Sequence, residues 1–143
     1  MSMPASLENI VSNFKKAPKQ LRLQLLLEYS KKLPPLPPHL EDSDLLEQVH
    51  ECQTPFFLTT EFSEDKVSLY FDAPVEAPTT RGFAGILYEG LNNLSTKEIL
   101  QVPSNFYYDL QLGEIISPLR LRGMEGILRR LKRQVSEHLE KVG

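Results

Sequence analysis

The chain has 143 residues, 41% of them hydrophobic and 24% charged, with a formal net charge of −3 and an isoelectric point near 5.6. That length and apolar content suit one compact domain with its own core and exclude wholesale disorder. The slight acidity argues against a general affinity for nucleic acid or for an anionic membrane, and the longest apolar runs are too short to span a bilayer.

Leu7, Ile10, Val11 and Phe14 fall at helical spacing, so the first element is a short helix with Ser6 as its expected N-cap. Pro18 breaks it. A second helix is expected from about Lys19 to Lys32, with Leu21, Leu25, Leu26 and Tyr29 as its apolar stripe. Leu33-Pro34-Pro35-Leu36-Pro37-Pro38 forbids helix and reads as a stiff, extended surface connector. From Val49 the period changes to two. Phe56, Leu58, Thr60 and Phe62 alternate with Phe57, Thr59 and Glu61, and Val67, Leu69 and Phe71 alternate with Ser68 and Tyr70. With Ser63-Glu64-Asp65-Lys66 between them, these runs predict a β-hairpin, joined by Val49–Cys52 as an additional strand.

A loop over Asp72–Pro78 leads to a helix capped by Thr79 or Thr80, whose buried face carries Phe83, Ile86, Leu87 and Leu91. Gly82, Gly85 and Gly90 weaken that helix, which points to a close backbone approach to the sheet or to a partner. Ser95-Thr96-Lys97-Glu98 is a capping box. Pro103-Ser104 opens a further short helix with Phe106 and Tyr107. After Ser117-Pro118 a long amphipathic helix carries Met124, Ile127, Leu128, Leu131, Val135 and Leu139. The expected fold is α+β: a small antiparallel sheet of about three strands packed with several helices, in one domain over residues 1–143.

Cys52 is the only cysteine. A lone thiol can close no intramolecular disulfide and supply no multi-cysteine metal site, so its chemistry would be nucleophilic attack or sulfur carriage. The competing reading is an inert, buried thiol. His50, two residues away, would share the face of a strand with Cys52 and lower its pKa, while Glu51 acts in the opposite sense. A Cys-His hydrolase would take His39, His50 or His138 as base, but nothing locates an oxyanion hole. A metal site on Cys52 and His50 lacks further ligands. Glu41, Asp42 and Asp44 read as a solvated acidic loop.

Arg129, Arg130, Lys132 and Arg133 read as a solvated helix face balanced by Glu125, Glu137 and Glu140, or as a docking surface for an acidic partner. Nucleic acid fits poorly, because no aromatic residues interleave the charges and the chain has no tryptophan. Arg120 and Arg122, beside Gly123 at the start of the last helix, are placed to meet a thiolate or a partner's carboxylate. Met1-Ser2-Met3-Pro4-Ala5 shows no basic and apolar leader, and with the single cysteine this places the expected location in the reducing cytosol.

Three segments in order resemble one family. Val49-His50-Glu51-Cys52-Gln53-Thr54 is similar to the V-x-G-C-Q-S motif of the SufE family, the sulfur-acceptor proteins of iron–sulfur cluster assembly. Arg81-Gly82-Phe83-Ala84-Gly85 resembles that family's [KR]-G-hydrophobic helix start, and Ser117-Pro118-Leu119-Arg120-Leu121-Arg122-Gly123-Met124 its S-P-x-R-x-x-G motif. The likeness spans about residues 5–137. Glu51 stands where many members have glycine, Thr54 stands for serine, Phe56 or Phe57 for tryptophan, and Glu76 is the nearest match to a common aspartate.

The resemblance implies that Cys52 takes persulfide sulfur from a cysteine desulfurase, stimulates that enzyme, and passes sulfur to an iron–sulfur scaffold protein. It implies that His50, Glu51, Gln53, Glu76, Arg81, Gly82, Arg120, Arg122 and Gly123 support the thiol or the partner, and that Phe56, Phe57 and Leu58 line a recess for it. Pyridoxal phosphate belongs to the desulfurase, so no cofactor and no metal is expected on this chain. Neither nucleic acid nor membrane is an expected partner, and a homodimer is left open. The alternative is a non-catalytic interaction module with a structural Cys52.

Overall fold

The computed structural model describes residues 3–142. In chain order it contains α1 (Ala5–Lys16), α2 (Lys19–Ser30), a 3-10 turn (Pro38–Leu40), β1 (Glu47–Gln48), β2 (Phe57–Ser63), β3 (Lys66–Asp72), α3 (Pro78–Leu91), β4 (Leu94–Ser95), α4 (Thr96–Leu100), a second 3-10 turn (Phe106–Leu110) and α5 (Pro118–Val142). The fold is α+β. Its sheet has four antiparallel strands in the order β1-β2-β3-β4, one more than expected, because Leu94 and Ser95 pair with Val67 and Lys66.

The hairpin lies where the alternation put it. Ser63 faces Lys66 across a tight turn in which Glu64 takes a φ of 56°. The register sets Leu58, Thr60 and Phe62 opposite Phe71, Leu69 and Val67. Directly opposed residues share a face, and this one is covered by α3 and α5. On the other face the proline connector returns: the His39 ring meets the Glu61 carboxylate at 2.7 Å and the Tyr70 ring edge-on, while Leu33 and Leu40 are buried.

Four local expectations are corrected. The first helix starts at Ala5 after Pro4, without a side-chain cap, and Ser6 instead donates its hydroxyl proton to the Gly90 carbonyl at 2.6 Å. Leu21 is half exposed, because α2 turns Arg22, Leu26 and Tyr29 inward. Arg22 earns that place by donating from Nε to the Phe14 carbonyl, an otherwise unpaired group at the end of α1. Neither Thr79 nor Thr80 caps α3; Pro78 opens it after Ala77, where a missing N–H costs nothing. Finally, the strand before the hairpin is Glu47–Gln48, and Val49–Cys52 is a turn in which the Cys52 amide donates to the Val49 carbonyl.

The glycines of α3 do mark close approach, toward α1 and α2 rather than toward the sheet. A Cβ at Gly82 would lie 2.5 Å from the Leu26 carbonyl oxygen, and one at Gly90 would lie 2.8 Å from Leu7 Cδ1. The capping box at Ser95 and Glu98 forms in both directions, and Phe106 and Tyr107 are buried in a 3-10 turn rather than an α-helix. Along α5, Met124, Ile127, Leu128, Leu131 and Val135 are buried, while Leu139 near the end is exposed. Among the described residues no helix is long and apolar enough to cross a membrane.

Candidate functional site

Cys52 sits in the loop between β1 and β2, half buried, where that loop crosses the first turns of α5. Its Sγ lies 3.9 Å from the Gly123 carbonyl oxygen, a weak S–H contact. A Cβ at position 123 would come within 3.2 Å of the sulfur, so glycine there lets the loop lie on the helix backbone. Beside the thiol opens a cleft of about 30 Å³, lined by Cys52, Gln53, Thr54, Thr80, Leu119, Arg120 and Gly123. That is room for roughly one or two water-sized groups.

The recess is therefore of mixed polarity. Phe56 and Leu58, expected to line it, are fully buried in the core instead, with Phe56 packed against Phe71. The turn also removes His50 from the thiol's face, and its side chain is exposed. His39 is held by Glu61, and His138 stacks on Phe62. Among the described residues, no hydrogen bond joins a histidine to Cys52, and no group of three or more His, Cys, Asp or Glu is placed to hold a metal ion. The base a hydrolase would need is not assembled.

Burial pushes the Cys52 thiol up to about 11; the Glu51 carboxylate adds to that, and Arg130 opposes it. At neutral pH the resting group is a thiol.

Arg120 projects from the rim of the cleft and donates to the Thr79 hydroxyl, while its backbone N–H donates to Ser117 Oγ in the first turn of α5. Arg122 is exposed, as are Gln53 and Glu76, the latter in the loop before Thr79. Arg81 and Gly82 lie away from the cleft. Arg81 points back into the fold and donates to the carbonyls of Ser30, Leu33 and Ala73 at 3.2, 3.4 and 2.6 Å, tying the end of α2, the proline connector and the β3–α3 loop together. Gly82 serves the α2–α3 contact.

Glu51 has a role that the sequence did not disclose. Its carboxylate receives Arg129 at 2.7 Å and Arg130 at 3.0 Å. Arg130 also reaches Glu47 in β1 at 2.9 Å, Glu47 meets Arg133 and Gln134, and Gln134 accepts from Thr60. Burial raises both carboxyls, but the surrounding donors win: Gln134, Arg130 and Arg133 bring Glu47 below its ordinary value, and the loop's own amide, Arg130 and Arg129 do so for Glu51. The basic face of α5, expected to be balanced by Glu125, Glu137 and Glu140, is thus balanced largely by the strand and loop that present Cys52. Glu125 and Glu137 pair with Arg129 and Arg133 as expected, and Lys132 is spent on the Val102 carbonyl. Gly126, one turn after Gly123, was the available sign that something crosses α5 here.

Comparison with known proteins agrees with this architecture. The profile of the SufE family, described as an Fe–S metabolism associated domain, matches residues 8–135. An uncharacterised SufE-like protein of Mycobacterium tuberculosis is 50% identical over 137 residues, covering 95% of each chain. A SufE-like protein of Arabidopsis thaliana, named as chloroplastic/mitochondrial, is 26% identical over 142 residues, which are 99% of this chain and 37% of that one. The solution structure of a hypothetical protein from Thermus thermophilus superposes with a TM-score of 0.86 at 49% identity, covering 96% of this chain and 98% of the other. The chain belongs to the SufE family and has a role in Fe–S metabolism.

Proposed function

We propose that this protein is a sulfur acceptor for a pyridoxal-phosphate-dependent cysteine desulfurase, with Cys52 as the sulfur-carrying thiol. The observation that carries the reading is the placement of the chain's one thiol: half buried, at a cleft large enough for one more sulfur, with a guanidinium on the rim. Family membership supports the same chemistry.

In this reading the Cys52 thiolate attacks the outer sulfur of a cysteine persulfide on the desulfurase. A new S–S bond forms at Cys52 Sγ, the donor's S–S bond breaks, and the donor cysteine leaves as thiolate, taking up the proton that Cys52 gives up. The exchange is redox-neutral and needs no oxidant. A second exchange of the same kind delivers the sulfur to an iron–sulfur scaffold. Pyridoxal phosphate supplies the carbon–sulfur cleavage on the partner.

The chain's own contribution is to shelter and present the thiol. Burial and Glu51 keep it protonated at rest, protecting it from oxidation. Docking must lift the loop from Gly123, relieving both effects. Arg120, Arg122 and the exposed Gln53, with Glu76 on the neighbouring loop, form the surface offered to the desulfurase, and Gly123 provides the seat to which the thiol returns. Arg81 and Gly82 act through the fold, Arg81 by tying three segments together and Gly82 by the α2–α3 contact. The expected compartment is the cytosol.

The test is intact mass spectrometry after incubation with a cysteine desulfurase and L-cysteine. The expected result is a gain of whole sulfur atoms, reversed by reductant and absent in Cys52→Ser. No adduct, or stimulation of the desulfurase that survives Cys52→Ser, would overturn the reading in favour of an interaction module.

A further inference from the structure

Positions 123, 126 and 130 of α5 lie about one turn apart and form a continuous track under the Cys52 loop. Two of the three are glycines. A Cβ at 123 would lie 3.6 Å from the Glu51 carbonyl oxygen, and a Cβ at 126 would lie 2.9 Å from both Cβ and Cδ of Glu51. The Glu51 side chain therefore runs along bare helix backbone, over Gly126, and ends between the Arg129 and Arg130 guanidiniums. Arg130 is braced by Glu47 in β1, so the receptor for the carboxylate is fixed to the sheet edge. Glu51 is next in sequence to Cys52, and whatever holds one holds the other.

We propose that Glu51 is a positioning residue, a latch whose carboxylate, seated between Arg129 and Arg130, keeps the loop of residues 50–54 closed on α5 with the Cys52 thiol against Gly123. Opening the loop requires Glu51 to leave two guanidiniums. Arg129 is more than half exposed on the outer side of that pair, so a carboxylate of an acidic docking partner can take the seat as Glu51 vacates it and couple docking to exposure of the thiol. The inference deepens the reading of Cys52 as a transfer thiol and rests on it. Its test uses the isolated protein, so failure of the latch and failure of sulfur transfer are read separately.

Backbone amide exchange of residues 50–54 is compared in the wild type, Glu51→Gln, Arg129→Met and the double variant, together with alkylation of Cys52 by iodoacetamide. Removal of the latch is expected to accelerate exchange in this segment about tenfold, read at the Cys52 amide that donates to the Val49 carbonyl, with the core amides of α1 to α3 unchanged, and to accelerate alkylation alongside. Arg129→Met is expected to give a smaller effect in the same segment, and the double variant no more than Glu51→Gln alone. Unchanged exchange over 50–54 overturns the proposal. So does faster alkylation without faster exchange, which would trace to the lost charge beside the thiol, and so does a uniform acceleration through the core, which would make Glu51 a general stabiliser. Should Glu51→Gln fail to fold, Arg129→Met, altered at an exposed side chain, decides by the same criterion.

Discussion

Cys52 and Gly123 meet directly: the sulfur lies 3.9 Å from the glycine's carbonyl oxygen, and the hydrogen that glycine carries in place of a Cβ is what makes room for it. Gly123→Ala would set a methyl 3.2 Å from Sγ. The sulfur can give way because it sits on a loop beside an open cleft. The alanine gains about 1 kcal/mol of helix propensity, which offsets the crowding. The expected outcome is thermal stability within about 1 kcal/mol of the wild type and Cys52 alkylation several-fold faster. An unchanged alkylation rate would contradict the fit described here.

Gly85 offers no such escape. A Cβ there would overlap the Tyr29 carbonyl oxygen, which belongs to the backbone of α2. Gly85→Ala is expected to force α2 and α3 apart and to cost roughly 3 kcal/mol or more in denaturant unfolding.

Arg81 ties three segments by donating to three carbonyls from one planar group. Lysine presents a single ammonium and cannot span them. Arg81→Lys is expected to lose about 2 kcal/mol of stability, read as a lower unfolding midpoint, while sulfur uptake at low temperature persists. Loss of uptake at full stability would instead place Arg81 at the partner surface.

The groups facing the thiol are Glu51 on its own loop and Arg130 and Arg120 on α5. Burial first, and then Glu51, push Cys52 to about 11 against the opposing Arg130. Alkylation of the resting protein is expected to climb close to tenfold per pH unit between about pH 7 and 9, with no plateau in that range. A plateau near the ordinary thiol value of 9.0 would mean that the closed loop does not bury the group.

Glu47 and Glu51 are both held below their ordinary value of 4.5 by arginines and amide donors. A carboxyl depressed in the folded state contributes stability above its unfolded pKa and loses it as pH falls through the folded one. Acid titration followed by circular dichroism is expected to show stability falling below about pH 4.5. Glu47→Gln combined with Glu51→Gln should flatten that loss.

Much of this protein is legible from neighbours a few residues apart. The alternation of Val67, Leu69 and Phe71 makes a strand with one buried face; Ser95 and Glu98 cap a helix between themselves; the spacing from Met124 to Val135 puts one face of α5 in the core. Such features depend on periods and caps that a short stretch carries within itself. The ordered motifs around Cys52, Arg81 and Gly123 likewise indicate the family, because they recur as local strings.

Packing settled the rest. Whether Val49–Cys52 is strand or turn depended on where α5 lies, and the turn is what separates His50 from the thiol. The inward face of α2 is set by an arginine finding the Phe14 carbonyl, and the purpose of Gly82 and Gly85 by which backbone comes near. Glu51 and Arg129, 78 positions apart, carry no periodicity that links them. Their meeting follows from two glycines that leave α5 bare where the loop crosses it, and steric room of that kind exists only once the helices and the sheet have docked.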